Sequence, residues 1–105
     1  MAADQVLLER FCPGDPPILR LYAWERPTLS IGRNEPLDSA FDPQRCAELS
    51  IPIVRRITGG KAVLHGSDLT YSVVGGVLAP EFAGGVLDNY RFLAQGFVRF
   101  FEQLG

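Results

Sequence analysis

The sequence is short of several things at once. It holds one lysine, Lys61, one histidine, His65, and two cysteines, and no apolar run approaches the roughly 20 residues that cross a bilayer. Met1 leads straight into the mixed segment 2–10, so neither a membrane span nor a signal peptide is expected. Cys12 and Cys46 are far apart and lack metal-ligand spacing, which gives no support to a disulfide framework or a metal site. Both are expected to be buried thiols of a reduced, cytoplasmic protein. A basic excess is missing too: the formal net charge is -2, which argues against a nucleic-acid binder, since such a protein must neutralise phosphates. No internal repeat and no low-complexity stretch is present.

What is there fits one small globular domain. The chain has 105 residues, of which 47% are hydrophobic and 21% charged, the balance of a soluble folded protein rather than a disordered tail or a coiled coil. Nine of its ten basic residues are arginine, so it is rich in fixed, forked donors and poor in ammonium groups.

Ala3, Val6, Leu7 and Phe11 form a helical stripe over residues 2–12 that Pro13-Gly14 must end, a helix whose beginning is expected to be missing. Residues 18–24 alternate, Leu19, Leu21 and Ala23 against Arg20, Tyr22 and Trp24, as a half-buried strand does; residues 28–32 repeat the pattern. Asp42-Pro43 supplies an N-cap and a first-turn proline for a short helix over 43–49. Runs 52–57, 62–65 and 69–74 are β-rich and joined by Thr58-Gly59-Gly60-Lys61 and Gly66-Ser67-Asp68, which predicts consecutive hairpins. A closing amphipathic helix carries Leu87, Tyr90, Ala94, Phe97, Phe101 and Leu104 on one face, widened by Val86, Leu93 and Phe100; that face must pack on a sheet or on other helices. The order gives an α+β class, a mixed sheet flanked by helices.

The stretch 54–74, VRRITGGKAVLHGSDLTYSVV, carries the chemistry. Arg55 and Arg56 are adjacent on a strand and point to opposite faces, so a two-sided sheet must either expose one or give it an anionic partner. Gly59 and Gly60 permit positive φ and let backbone N–H groups approach a ligand, and arginine forks beside bare donors suit a carboxylate or phosphate. Each part also has a plain reading: Gly-Gly as a hairpin turn, Arg-Arg as a solvated pair, His65 as a structural side chain, Tyr22 and Trp24 as core or rim aromatics.

In combination, RRITGGKAVLH followed by DLTYSVV closely resembles the signature of the lipoate-protein ligase A and lipoate/octanoate transferase family, related to biotin-protein ligases. MAADQVLLE is similar to that family's first-helix segment, and LRLYAWERPTLSIGRNEP to its tryptophan-containing strand pair ending in Gly-Arg. The resemblance covers essentially the whole chain. It implies a biotin/lipoate protein ligase-like, class II synthetase-like fold and acyl transfer to a lysine of a lipoyl carrier domain, either glycine cleavage H protein or a 2-oxoacid dehydrogenase E2. Ligase members join lipoate to ATP, with Mg, as an acyl-adenylate before the lysine attacks. Transferase members move an octanoyl group from acyl carrier protein through a thioester.

Carried onto this sequence, the resemblance places Arg56, Thr58, Gly59, Gly60 and His65 at the acyl-carbonyl or adenylate site, with Arg33 and Lys61 as further members. Lys61 stands where a third glycine is common, and tilts toward the transferase branch. Leu29, Ile31 and Val63 read as core, with an acyl tunnel as the alternative. Glu35 takes the place of an amide and, being able to repel an anionic ligand, is expected to turn outward. The family's reactive lysine or cysteine lies in a segment with no counterpart among these residues, and neither Cys12 nor Cys46 stands in the nucleophile's position. The chain therefore reads as the N-terminal part of a catalytic domain, with no catalytic residue of its own. A non-catalytic acyl- or carrier-binding module, or an inactive gene fragment, is the alternative.

Overall fold

The computed structural model describes residues 2–37 and 40–105. The elements run α1 (Ala2–Arg10), β1 (Ile18–Tyr22), β2 (Thr28–Ile31), α2 (Pro43–Glu48), β3 (Ile53–Arg55), β4 (Val63–His65), β5 (Thr70–Val74), a 3-10 turn (Pro80–Phe82) and α3 (Val86–Leu104). They gather into two compact units, one holding the segments up to Arg10 and 19–73, the other 11–18 and 74–105.

The first unit is built around β2. All four of its residues are buried, Ser30 fully and Ile31 to 1% exposure, so the strand has covered faces as well as paired edges. β3 lies parallel on one side, with Ser30 opposite Val54, and β4 antiparallel on the other, with Ser30 opposite Val63. The strand order β3-β2-β4 replaces the consecutive hairpins expected from the sequence. The reason is that the Gly59-Gly60 segment does not fold β4 back onto β3. It crosses the end of β2, where Arg33 N–H bonds the Thr58 carbonyl and Arg56 N–H bonds the Ile31 carbonyl. The Gly66-Ser67-Asp68 link makes no hairpin either, because β5 pairs with β1 in a separate two-stranded sheet.

In that second sheet the expected alternation is present, and the covered face is the one that carries Arg20 and Tyr22. Leu19 and Leu21 are 60% and 54% exposed, whereas Arg20 and Tyr22 are half-buried. A buried acid decides this: Asp4 of α1 accepts from Arg20 Nε at 2.8 Å and from the Ser72 hydroxyl of β5, tying helix to sheet. The Arg20 guanidinium also lies 3.9 Å above the Tyr22 ring, a cation–π contact that holds the aromatic inward. α2 starts as its sequence predicts, with the Asp42 carboxylate accepting from Gln44 and Arg45 N–H and Pro43 in the first turn.

In the second unit, Gly75 faces the Phe82 ring at a distance that leaves no space for a β-carbon, and Phe82 meets Phe92 of α3 edge-on, with centroids 5.9 Å apart. No residue of α3 is buried. Its expected packing is thus not realised: Val86, Leu87, Tyr90, Phe100, Phe101 and Leu104 are all exposed. Cys12 is exposed and Cys46 half-buried, with no disulfide between them, so the expectation of two buried thiols fails. Cys12 sits at a surface turn, where its N–H bonds the Asp15 carboxylate and Gly14 takes φ +95°. Among the described residues, no helix is long and apolar enough to cross a membrane.

Candidate functional site

Six of the residues marked by the sequence, Arg33, Arg56, Thr58, Gly59, Gly60 and Lys61, meet at the C-terminal end of β2. The Arg56 guanidinium reaches across from the end of β3 and is fully engaged at its four terminal N–H groups: Nη1 donates to the Ser30 carbonyl (3.0 Å) and Ser30 Oγ (2.9 Å), Nη2 to the Gly59 and Lys61 carbonyls (both 2.9 Å). Thr58 joins through its carbonyl, and Gly60 takes φ +97°, open to glycine and strained for other residues. Arg33 touches the cluster through its backbone N–H. Arg55 turns the other way, its Nη1 donating to the Gly32, Arg33 and Glu35 carbonyls at 2.9, 3.1 and 2.8 Å. The two arginines do occupy opposite sides, yet their partners are carbonyls and, for Arg56, the Ser30 hydroxyl rather than anions, because the end of β2 and the turns beside it leave carbonyls outside the ladder.

Glu35 also departs from expectation. It is buried, at 7% exposure, and accepts from Gly32 N–H at 3.2 Å. A carboxylate here closes the 32–35 turn from inside, and the Arg55 cation at the carbonyls of the same turn supports that charge.

His65 is buried at 8% exposure, last in β4 and opposite Thr28. Its Nε2 is 2.8 Å from Ser30 Oγ, its Nδ1 2.8 Å from Asp68 Oδ2, and its ring stacks on Trp24 at 4.2 Å between centroids. Asp68 Oδ2 accepts from the Thr70 hydroxyl (3.0 Å), which itself accepts from Trp24 Nε1–H (2.8 Å), while Oδ1 accepts from Gly66 N–H. These bonds, His65 first and Gly66 next, hold the Asp68 carboxyl well below the usual carboxylate range. Ser30, His65 and Asp68 stand in the contact order of a hydrolase triad. Ser30 is nevertheless 0% exposed and already accepts from Arg56, so no acyl carbonyl can reach it, and the chain of bonds supports a guanidinium rather than a nucleophile.

Sequence reasoning passed over Ser30, Gly32, Asp68 and Thr70 as members of this cluster. A signal existed for two of them: Ser30 is a hydroxyl inside the strand TLSI, and Asp68 follows His65 by three residues in a turn. Nothing local marks Gly32, whose role depends on a segment 28 residues later.

Across residues 1–105 the sequence matches the lipoyl protein ligase A/B catalytic domain. The chain belongs to that family. Among relatives of the lipoyl ligase A/B family, the octanoyltransferase LipM of Carboxydothermus hydrogenoformans is 41% identical over 106 aligned positions, covering all of this chain and 39% of that protein. The LipM of Moorella thermoacetica gives the same identity and coverage. A lipoate protein ligase of Thermoplasma acidophilum with bound lipoic acid shares 36% identity and a TM-score of 0.64 over 69% of this chain and 30% of its own. A lipoate-protein ligase A bound with ATP matches with the same identity and score, over 29% of its length. The chain thus spans about 39% of the length of the octanoyltransferases it matches.

Proposed function

We propose that this chain, as the N-terminal part of a catalytic domain, supplies the acyl head-group site of an enzyme that attaches octanoate or lipoate to a lysine of a lipoyl carrier domain in the cytoplasm. The observation that carries the reading is the anchoring of the Gly59-Gly60 loop. Arg56 draws in the Gly59 and Lys61 carbonyls. Because the Gly59–Gly60 peptide is trans, the Gly60 N–H points away from the guanidinium and is left as a donor for an acyl oxygen. A fixed N–H beside a half-buried cation suits the negative charge that grows on a carbonyl oxygen when an amine attacks it. The new amide bond forms as the C–S bond of a thioester breaks and its sulfur leaves with the amine's proton as a thiol, or as the C–O bond of an acyl-adenylate breaks and AMP and that proton leave. Arg56, Thr58, Gly59, Gly60 and His65 build this donor loop, and Arg33 and Lys61 flank it as charges for a phosphate of the donor.

Transfer of octanoate from acyl carrier protein is the version favoured, since the octanoyltransferases align over the whole chain. ATP-dependent activation of lipoate, with magnesium entering on the nucleotide, is the second version, favoured by likeness to a ligase with bound ATP. The carrier would be glycine cleavage H protein or an E2 lipoyl domain; one Thermoplasma relative is a bi-partite ligase described with its E2 lipoyl domain.

The test joins this chain to the remaining part of the Carboxydothermus octanoyltransferase and follows octanoyl transfer from acyl carrier protein to H protein. Transfer is expected in the fusion, and its loss in Arg56→Ala and Gly60→Val with circular dichroism unchanged. Near-normal turnover in both variants refutes the assignment.

A further inference from the structure

We propose that Asp68 is a positioning residue for the loop at residues 59–61, acting through His65 and Ser30 to fix the direction of the hydrogen bonds that hold Arg56. The inference deepens the reading of that loop as the acyl head-group site and rests on it for the identity of the ligand.

The argument is one of donors and acceptors. Arginine can only donate, so Ser30 Oγ accepts from Arg56 Nη1. The hydroxyl has a single hydrogen, and with Ser30 at 0% exposure no water can take it; it must go to His65 Nε2, 2.8 Å away. Nε2 is then an acceptor, the ring hydrogen sits on Nδ1, and Nδ1–H donates to Asp68 Oδ2. From the other side, tryptophan can only donate, so Thr70 Oγ1 accepts from Trp24 and passes its own hydrogen to the same Oδ2. Two chains of hydrogen bonds, each starting at an obligate donor, converge on one obligate acceptor. The Asp68 carboxylate is the sink that makes every bond in both chains point one way.

An amide at position 68 breaks this order in either orientation. With its NH2 toward His65 and Thr70, it donates to Nδ1 and moves the ring hydrogen to Nε2; His65 and Arg56 then take both lone pairs of Ser30 Oγ, and the buried Ser30 hydroxyl hydrogen is left without an acceptor. With its oxygen toward His65, its NH2 confronts Gly66 N–H. The first arrangement carries the cost of an unpaired buried hydroxyl, which the site relieves by loosening Ser30 and with it the guanidinium that holds the Gly59 and Lys61 carbonyls.

The test uses the whole chain labelled with nitrogen-15. His65 is the sole histidine, so a long-range proton–nitrogen spectrum reports one imidazole. The wild type is expected to carry its hydrogen on Nδ1; the Nε2–H form overturns the proposal. Asp68→Asn is expected to lose the Nδ1–H form and to speed exchange of the Arg33 amide, which bonds the Thr58 carbonyl, by about tenfold. Retention of both signals overturns the proposal. Should that variant unfold, Ser30→Ala decides: the Nδ1–H form stays, because Asp68 still sets it, while Arg33 exchange quickens, and unchanged exchange overturns the proposal. Failure of the acyl-site reading looks different. There the wild-type fusion described above transfers no octanoate although the imidazole carries its hydrogen on Nδ1.

Discussion

The Gly60 carbonyl oxygen occupies the place where a β-carbon on Gly32 would stand, 2.0 Å from the ideal position. The end of β2 and the glycine loop therefore touch backbone to backbone, with no side chain between them. Gly32→Ala forces the loop outward and is expected to cost about 2 kcal/mol by overpacking, a fall in melting temperature of roughly 10 °C for a domain of this size. Thermal denaturation followed by circular dichroism measures it, and a variant that melts with the wild type would show that the loop yields freely.

Arg55 serves the turn on the other side of β2. Arg55→Met keeps much of the length of the side chain and removes the donor shared by the Gly32, Arg33 and Glu35 carbonyls. The expected loss is roughly 2 kcal/mol, the scale for hydrogen bonds to a charged group. Urea unfolding gives the value. A midpoint within error of the wild type would assign those carbonyls to solvent.

Acid should loosen the fold through two carboxylates. The hydrogen bond from Arg20 lowers the Asp4 carboxyl, with burial opposing and Ser72 assisting, and Asp68 is lowered by His65 and Gly66. Both folded values lie below the unfolded ones. Their stabilisation is complete above the ordinary carboxylate value of about 4 and is lost as pH falls through the depressed values. Urea midpoints are expected to drop between about pH 4 and pH 2, and Asp4→Asn to be less stable at pH 7 with a shallower drop. An unaltered slope in Asp4→Asn would remove Asp4 from the account.

The exposed apolar face of α3, together with Leu19 and Leu21, is more than a monomer ordinarily leaves in water. The chain expressed alone is expected to self-associate and to transfer no octanoate. Sedimentation velocity checks the first point. A monodisperse monomer at about 100 µM, well above the micromolar range where such surfaces associate, would contradict it.

Much of this was legible in advance, and the misses share a cause. Asp42-Pro43 announced α2, and the β-rich runs announced strands within a residue or two, because capping and periodicity are local. The grouping of Arg56, Gly59, Gly60 and His65 came from motif order; Arg56 and the glycines meet at the C-terminal end of β2, and His65, opposite Thr28 at its start, joins them through the Ser30 hydroxyl. Strand order was misjudged because a glycine turn between two β-rich runs has the same local chemistry whether the strands pair or straddle a third. Glu35 was placed outside because a carboxylate near an anion site suggests repulsion, while Gly32 N–H and the Arg55 cation are visible only after folding. The alternation of β1 was legible but not which of its faces turns inward, because that is decided by Asp4, sixteen residues before Arg20, against the pull of two leucines.

Strand order also bears on how the chain becomes folded. β2 is the first strand of its sheet to be made, yet both of its neighbours are encoded later, β3 some two dozen residues on and β4 a further ten. Between Ile31 and Ile53 the growing chain carries an unpaired, half-apolar strand that no local hairpin can shelter. The sheet can close only after α2 and the Arg55-Arg56 pair have emerged, so its pairing rests on contacts distant in sequence, which close more slowly than the neighbouring strands of a simple meander.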